Sequence, residues 1–178
     1  MYYKAILQGR SGDLPGMIAT LSAALKIKPG DVPLMTLRAQ AKWLSGRKAE
    51  ARREFAAARA AATDETDLTS LCWYRAIADI DLPEALADCD AALSKAPTDA
   101  DALESRGFTL VKLGRYDEAI LSYDRVLAAQ PTLSEALLGR AVAWKHKGDQ
   151  AKADADMAAV MALDREVVTQ YRSYGMVF

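Results

Sequence analysis

Histidine and cysteine are scarce in this 178-residue chain, and long hydrophobic runs are missing. The one histidine, His146, stands between Lys145 and Lys147, with no second histidine for a metal and no Ser/His/Asp spacing for a triad. The two cysteines, Cys72 and Cys89, form no CxxC and no Cys/His cluster, so no zinc site is indicated. No apolar stretch approaches the roughly 20 residues that a membrane-spanning helix needs, and membrane insertion is not expected. No convincing strand exists for a glycine-rich phosphate loop to follow. Carboxylates are plentiful, but they fall at helix starts (Asp99, Asp101, Glu135) and on helical faces. There they cap backbone N–H groups and complement the helix dipole. No catalytic, cofactor-binding or metal-binding residue is named on these grounds, and a non-enzymatic chain is expected.

What is present is alanine and helical periodicity. Residues Asp101 to Pro131 read as two helices around a turn. The first places Leu103, Gly107 and Leu110 on one side, Gly114-Arg115-Tyr116 turns the chain, and the second carries Ala119, Tyr123, Val126 and Leu127 inward. Small residues at Gly107 and Ala119 would let the helices approach closely. The unit repeats. Steps of 34 residues from Ala119 reach Ala51, Ala85 and Ala153; from Gly114 they reach Gly12, Gly46 and Gly148, with Ile80 the exception. From Tyr123 the column is Leu21, Phe55, Cys89 and Met157. Each column keeps its type for a packing reason: small at a crossing, large and apolar inside, glycine in the turn.

This pattern resembles the tetratricopeptide repeat (TPR), a helix–turn–helix unit of about 34 residues, over nearly the whole chain. The resemblance implies an all-α, right-handed α-solenoid in a single domain, with repeats at about 1–31, 32–65, 66–99, 100–133 and 134–167. A capping helix at about 166–178 would be the first helix of an unfinished sixth unit, covering the end of the array. The third repeat is the least regular. It lacks the turn glycine, carries Pro83 in the first turn of its second helix, and has Trp73 where other repeats hold Gly or Ala. Either its two helices separate slightly or the indole leans outward. Cys72 and Cys89 lie on the two helices of that repeat and are expected as buried free thiols; a disulfide would require close Cα atoms and an oxidising compartment.

The family uses the concave side, lined by the first helix of each repeat, to bind an extended peptide or a partner's helix. The resemblance therefore implies a protein-interaction scaffold, and repeat spacing names the groove residues: Gln40, Trp43, Tyr74, Ile77, Glu104, Phe108, Val111, Val142 and Lys145. Apolar stripes at helical spacing also serve as core between neighbouring helices. The expected ligand is an apolar, basic peptide, because Asp67, Asp101 and Glu135 edge the groove. TPR cochaperones that hold carboxylate tails of chaperones use Lys, Asn and Arg in these columns. Here the columns hold Thr36, Ser70 and Glu104, then Gln40, Tyr74 and Phe108, so such a tail is not the expected partner.

Charge is uneven. Residues 1–62 hold eleven Lys and Arg against four Asp and Glu; residues 63–178 hold twelve against twenty. That polarity supports a self-assembly (homo-oligomer) module as the alternative reading. An accessory domain of a larger protein is a third. The basic cluster Arg47, Lys48, Arg52, Arg53 and Arg59 has few aromatics beside it and reads as a solvated convex face, so no nucleic-acid partner is expected. The start, MYYKAILQGR, lacks the order of a signal peptide. That implies a cytoplasmic chain, or a periplasmic one if it is a processed or truncated form, as in some bacterial TPR proteins with similar Ala- and Asp-rich repeats.

Overall fold

The computed structural model describes residues 1–178 and is built from helices alone. Helix pairs follow the repeat: α1 (Tyr2–Arg10) with α2 (Leu14–Ile27), α3 (Val32–Leu44) with α4 (Lys48–Ala61), and α5 (Glu65–Ile77) with α6 (Leu82–Lys95). Then come α7 (Ala100–Lys112) with α8 (Tyr116–Ala129), α9 (Ser134–His146) with α10 (Gln150–Leu163), and a final α11 (Glu166–Ser173). Local chemistry starts the helices. Side chains of Asp13, Asp31, Asp64, Asp99 and Asp149 each accept the backbone N–H three residues on, at 2.7–3.2 Å. Each such cap is worth about 1 kcal/mol.

Successive first helices pack on one another (α3 on α5, α5 on α7, α7 on α9), whereas successive second helices make no comparable contact. The array therefore curves as an α-solenoid with the first helices on the inside. Its apolar interior is a seam between neighbours, in which Leu21, Phe55, Cys89 and Tyr123 of one repeat column are all fully buried.

The close crossing expected at Gly107 has a more specific cause. The ring of Tyr123, on α8, lies against both Gly107 of α7 and Gly139 of α9. A Cβ on Gly107 would stand 2.7 Å from its Cζ, and one on Gly139 would stand 2.2 Å away. The two glycines are small because one tyrosine passes between their helices.

An ion-pair ladder runs through the same helices with the 34-residue step. Arg38 donates to Glu54 at 2.6 Å and to Ser22 at 3.0 Å. Arg106 donates to Ser122 at 2.9 Å and Asp90 at 2.7 Å, and Arg140 to Asp156 and Asp124 at 2.7 Å. Each arginine on a first helix thus ties its own second helix to that of the preceding repeat.

The third repeat breaks the ladder. Its arginine position is Cys72, and the free-thiol expectation is corrected here: Cys72 and Cys89 form a disulfide, with Cα atoms 5.3 Å apart. The bond joins α5 to α6 where the arginine would have done so. Asp88, the carboxylate left at that rung, is buried and held instead by Arg59 at 2.8 Å and Arg75 at 3.3 Å. Burial pushes its carboxyl above the usual range, against the pull of the two guanidinium groups.

The turn of this repeat is also displaced. In the regular repeats Gly46, Gly114 and Gly148 take the left-handed conformation after the helix. Helix α5 ends one residue early, so Asp79 takes that role at φ 59° and donates to the Ala76 carbonyl. Ile80 is then free to be fully buried, which accounts for the exception in the glycine column.

Candidate functional site

The concave face is divided in two by the end of the chain. Helix α11 is the segment expected as the first helix of a sixth unit. The helix packs on α9 but turns back across the concave face. The Tyr171 hydroxyl donates to Glu104 Oε1 of α7 at 2.5 Å. Its ring meets Phe108 at 5.5 Å between centroids, and the Tyr174 ring meets Trp73 of α5 edge-on at 5.6 Å. Lys112 Nζ, on α7, bridges the carbonyls of Tyr174 (3.0 Å) and Ala76 (2.9 Å). A helix stacked on α10 could not reach α7 and α5. The indole of Trp73 accordingly leans toward the concave side, one of the two outcomes its size required.

The groove residues named from repeat spacing fall into three groups. Phe108, Val111 and Val142 are buried, Phe108 beneath Trp73, Tyr171 and Tyr174. Trp43 points toward its own repeat's second helix, with Lys48 Nζ at 4.9 Å and Arg52 Cζ at 5.3 Å from its ring. Gln40, Tyr74, Ile77 and Glu104 are half-buried, and Lys145 is exposed. Tyr74 meets Tyr2 of α1 hydroxyl to hydroxyl at 3.2 Å, across α3. Burial, with that contact, raises the Tyr74 phenol well above its ordinary value.

Between these features a cavity of about 330 Å³ remains open at the N-terminal ends of α5 and α7. Glu65, Asp99, Asp101 and Glu104 supply carboxylates to its wall, with Trp73 and Tyr74 beside them. None of these four carboxylates has a basic partner among the chain's ion pairs. The cavity is therefore anionic and lacks an internal counter-ion. No cluster of side chains suited to a metal ion is present. His146 stacks on Tyr116 at 4.7 Å, a packing contact far in sequence from this cavity.

Burial pushes the Glu104 carboxyl up to about 7; Glu135 and Asp101 add to the rise, and the Tyr171 hydrogen bond opposes it. Tyr123 of α8 also feels this carboxylate. With α11 docked, Glu104 holds a proton more tightly than a solvated glutamate. Docking is thus strongest at low pH, where Glu104 is protonated, and weakens as the pH rises through about 7. Amide exchange protection of α11, corrected for intrinsic rates, is expected to fall by roughly tenfold or more between pH 5 and pH 8. A Glu104→Gln variant should flatten that dependence; an unchanged slope would remove Glu104 as its source.

The fold and the curved face define a class, the helical repeat solenoid. Residues 75–134 and 105–164 match the tetratricopeptide repeat model, together half of the chain. The chain belongs to the tetratricopeptide repeat family. No curated protein sequence matches it significantly. Among solved structures it is similar to PilW, a widely conserved type IV pilus biogenesis factor, at TM-score 0.72 and 23% identity over 90% of this chain and 74% of that one. It is similar to MamA AMB-1 at TM-score 0.65 and 20% identity, over 93% of this chain and 99% of that one. YrrB, described as a TPR protein with an unusual peptide-binding site, aligns at TM-score 0.61 and 19% identity over 94% of this chain and 88% of that one. These likenesses establish the fold.

Proposed function

We propose that this chain is a non-enzymatic scaffold that binds a segment of a partner protein on its concave face. The segment would carry a lysine or arginine into the cavity between α5 and α7. The observation that carries this reading is the cavity itself: Glu65, Asp101 and Glu104 with no basic partner, beside the faces of Trp73 and Tyr74. Carboxylates offer a guanidinium paired acceptors, and an adjacent aromatic face adds a cation–π contact. Such a pocket selects against an acidic tail, in agreement with the columns of the sequence. The peptide-binding site ascribed to YrrB supports the same use of this fold.

Selection of random peptides on the full chain tests it. Enriched peptides are expected to carry Arg or Lys, and Asp101→Lys is expected to weaken them at least tenfold, consistent with about 1.4 kcal/mol per decade. Asp101 is exposed and its side chain makes no hydrogen bond or ion pair, so the variant costs only its helix-dipole interaction, about 1 kcal/mol, and circular dichroism checks the fold. Enrichment of acidic peptides, or equal binding by Asp101→Lys, would contradict the reading.

Self-assembly is the second reading. It is favoured by apolar side chains uncovered at both ends of the array: Tyr3 (83% exposed) and Leu7 (65%) on α1, Met161 (41%) and Leu163 (50%) on α10. The position on α10 that a sixth repeat would cover is left open because α11 lies elsewhere. Concentration-dependent mass in sedimentation would favour this reading.

A further inference from the structure

We propose that the concave face from α5 to α9 is a docking subsite for a short amphipathic helix bearing tyrosines about one turn apart, and that residues 166–178 of this chain fill it until a partner helix of the same chemistry displaces them. The inference rests on the groove reading above and gives the partner a second chemical requirement.

The contacts of α11 are those of a ligand in a site. One face of it is inserted: Val167 and Tyr171 are buried, as is Met176 beyond the helix end, while Glu166, Gln170, Arg172 and Ser173 face solvent. The receiving side is built from two neighbouring repeats, with α9 of the next packed alongside. Trp73 and Phe108 offer aromatic faces, Glu104 accepts from the Tyr171 phenol, and Lys112 Nζ donates to the Tyr174 carbonyl. Lys112 is itself largely buried on its side chain and also holds the Ala76 carbonyl, so its ammonium is positioned by the scaffold. Burial lowers its pKa, with Asp79 at 3.5 Å opposing that fall.

The occupant is weakly held by its own backbone. Helix α11 has 8 residues, too few to be stable in isolation, and its N-cap residue Arg165 makes no capping bond, leaving only the Asp164 side chain, which accepts the Glu166 N–H at 2.9 Å, to hold its start. It keeps its shape mainly through the docked face, as elements that open locally do. A longer partner helix with the same two phenols would meet the same face at lower ordering cost.

Competition in the full chain tests this. The probe is a fluorescein-labelled synthetic peptide of residues 164–178, added to the wild type and to the double variant Tyr171→Ala/Tyr174→Ala. The variant, whose own segment can no longer dock, is expected to bind the peptide at least tenfold more tightly than the wild type does. Adding Lys112→Met to the variant should weaken that binding. Equal binding by both proteins, or none by a variant with an unchanged circular dichroism spectrum, would overturn the proposal. Hydrogen exchange of the wild type gives a reading free of any variant. Protection of α11 is expected at least a hundredfold below that of α9, and equal protection would overturn the proposal. Glu65 lines the cavity but takes part in none of the α11 contacts, so Glu65→Lys should weaken basic peptides and leave the competition unchanged, and the groove reading and this one fail separately.

Discussion

Reduction of the Cys72–Cys89 bond is expected to destabilise the array by about 3 kcal/mol, the chain-entropy value for a loop of this length. The bond closes a separation of 17 residues within one helix pair. It also replaces the arginine rung, so its loss leaves α5 and α6 tied only by packing and by the Asp88 pairs. Urea unfolding with and without reductant measures the cost, and intact mass gives the bond itself as the loss of two hydrogen atoms. A paired variant separates the roles. Cys72→Arg combined with Cys89→Ala should recover part of the stability lost in Cys72→Ala/Cys89→Ala, because the new guanidinium can reach Asp88. No recovery would mean that the ladder is decorative at this rung.

Tyr123→Ala is the larger effect on packing, at roughly 3–5 kcal/mol. Tyr123 is fully buried between α7, α8 and α9, and its removal leaves a void lined by Gly107 and Gly139 that neither glycine can fill. Its hydroxyl has no hydrogen-bond partner. Tyr123→Phe should therefore be neutral or stabilising, since it removes a buried group whose desolvation nothing offsets. Gly139→Ala is informative in the opposite direction. In an exposed helix that change gains about 1 kcal/mol, but here the added carbon would overlap the ring and cost roughly 1–3 kcal/mol. Denaturant titrations of the three variants decide the matter. A stable Tyr123→Ala would show that the seam between the fourth and fifth repeats does not depend on this ring.

The 34-residue columns made the helix pairs and their turns legible, because small, aromatic and glycine positions answer to packing that every repeat shares. The ladder was legible as well. Arg106 and Arg140 stand one step apart and Arg38 two steps before Arg106, with Cys72 in the position between, a signal that identifies the cysteine pair as a substitute for an ion pair. Read only as a member of the aromatic column, Cys89 looked like a core thiol. The placement of α11 was not legible. The repeat reading has residues 166–178 covering the end of the array, but repeat spacing records intra-repeat packing and says nothing of how far an unfinished unit reaches across the concave face. For the groove residues, spacing gives the side of a helix, but the burial of Phe108 also depends on the Tyr171 and Tyr174 rings laid against it. The acidic cavity, by contrast, was half visible in the carboxylates at helix starts.

Site-specific photocrosslinking in cells of the source organism tests the central claim that the concave face engages a partner protein. The crosslinker is placed at Thr66 or Ser70, which line the open cavity, and at Arg53, an exposed residue on α4. The expected result is a protein adduct from Thr66 and Ser70 that falls with Asp101→Lys, and none from Arg53. Adducts from Arg53 alone, with the cavity positions silent, would contradict the account.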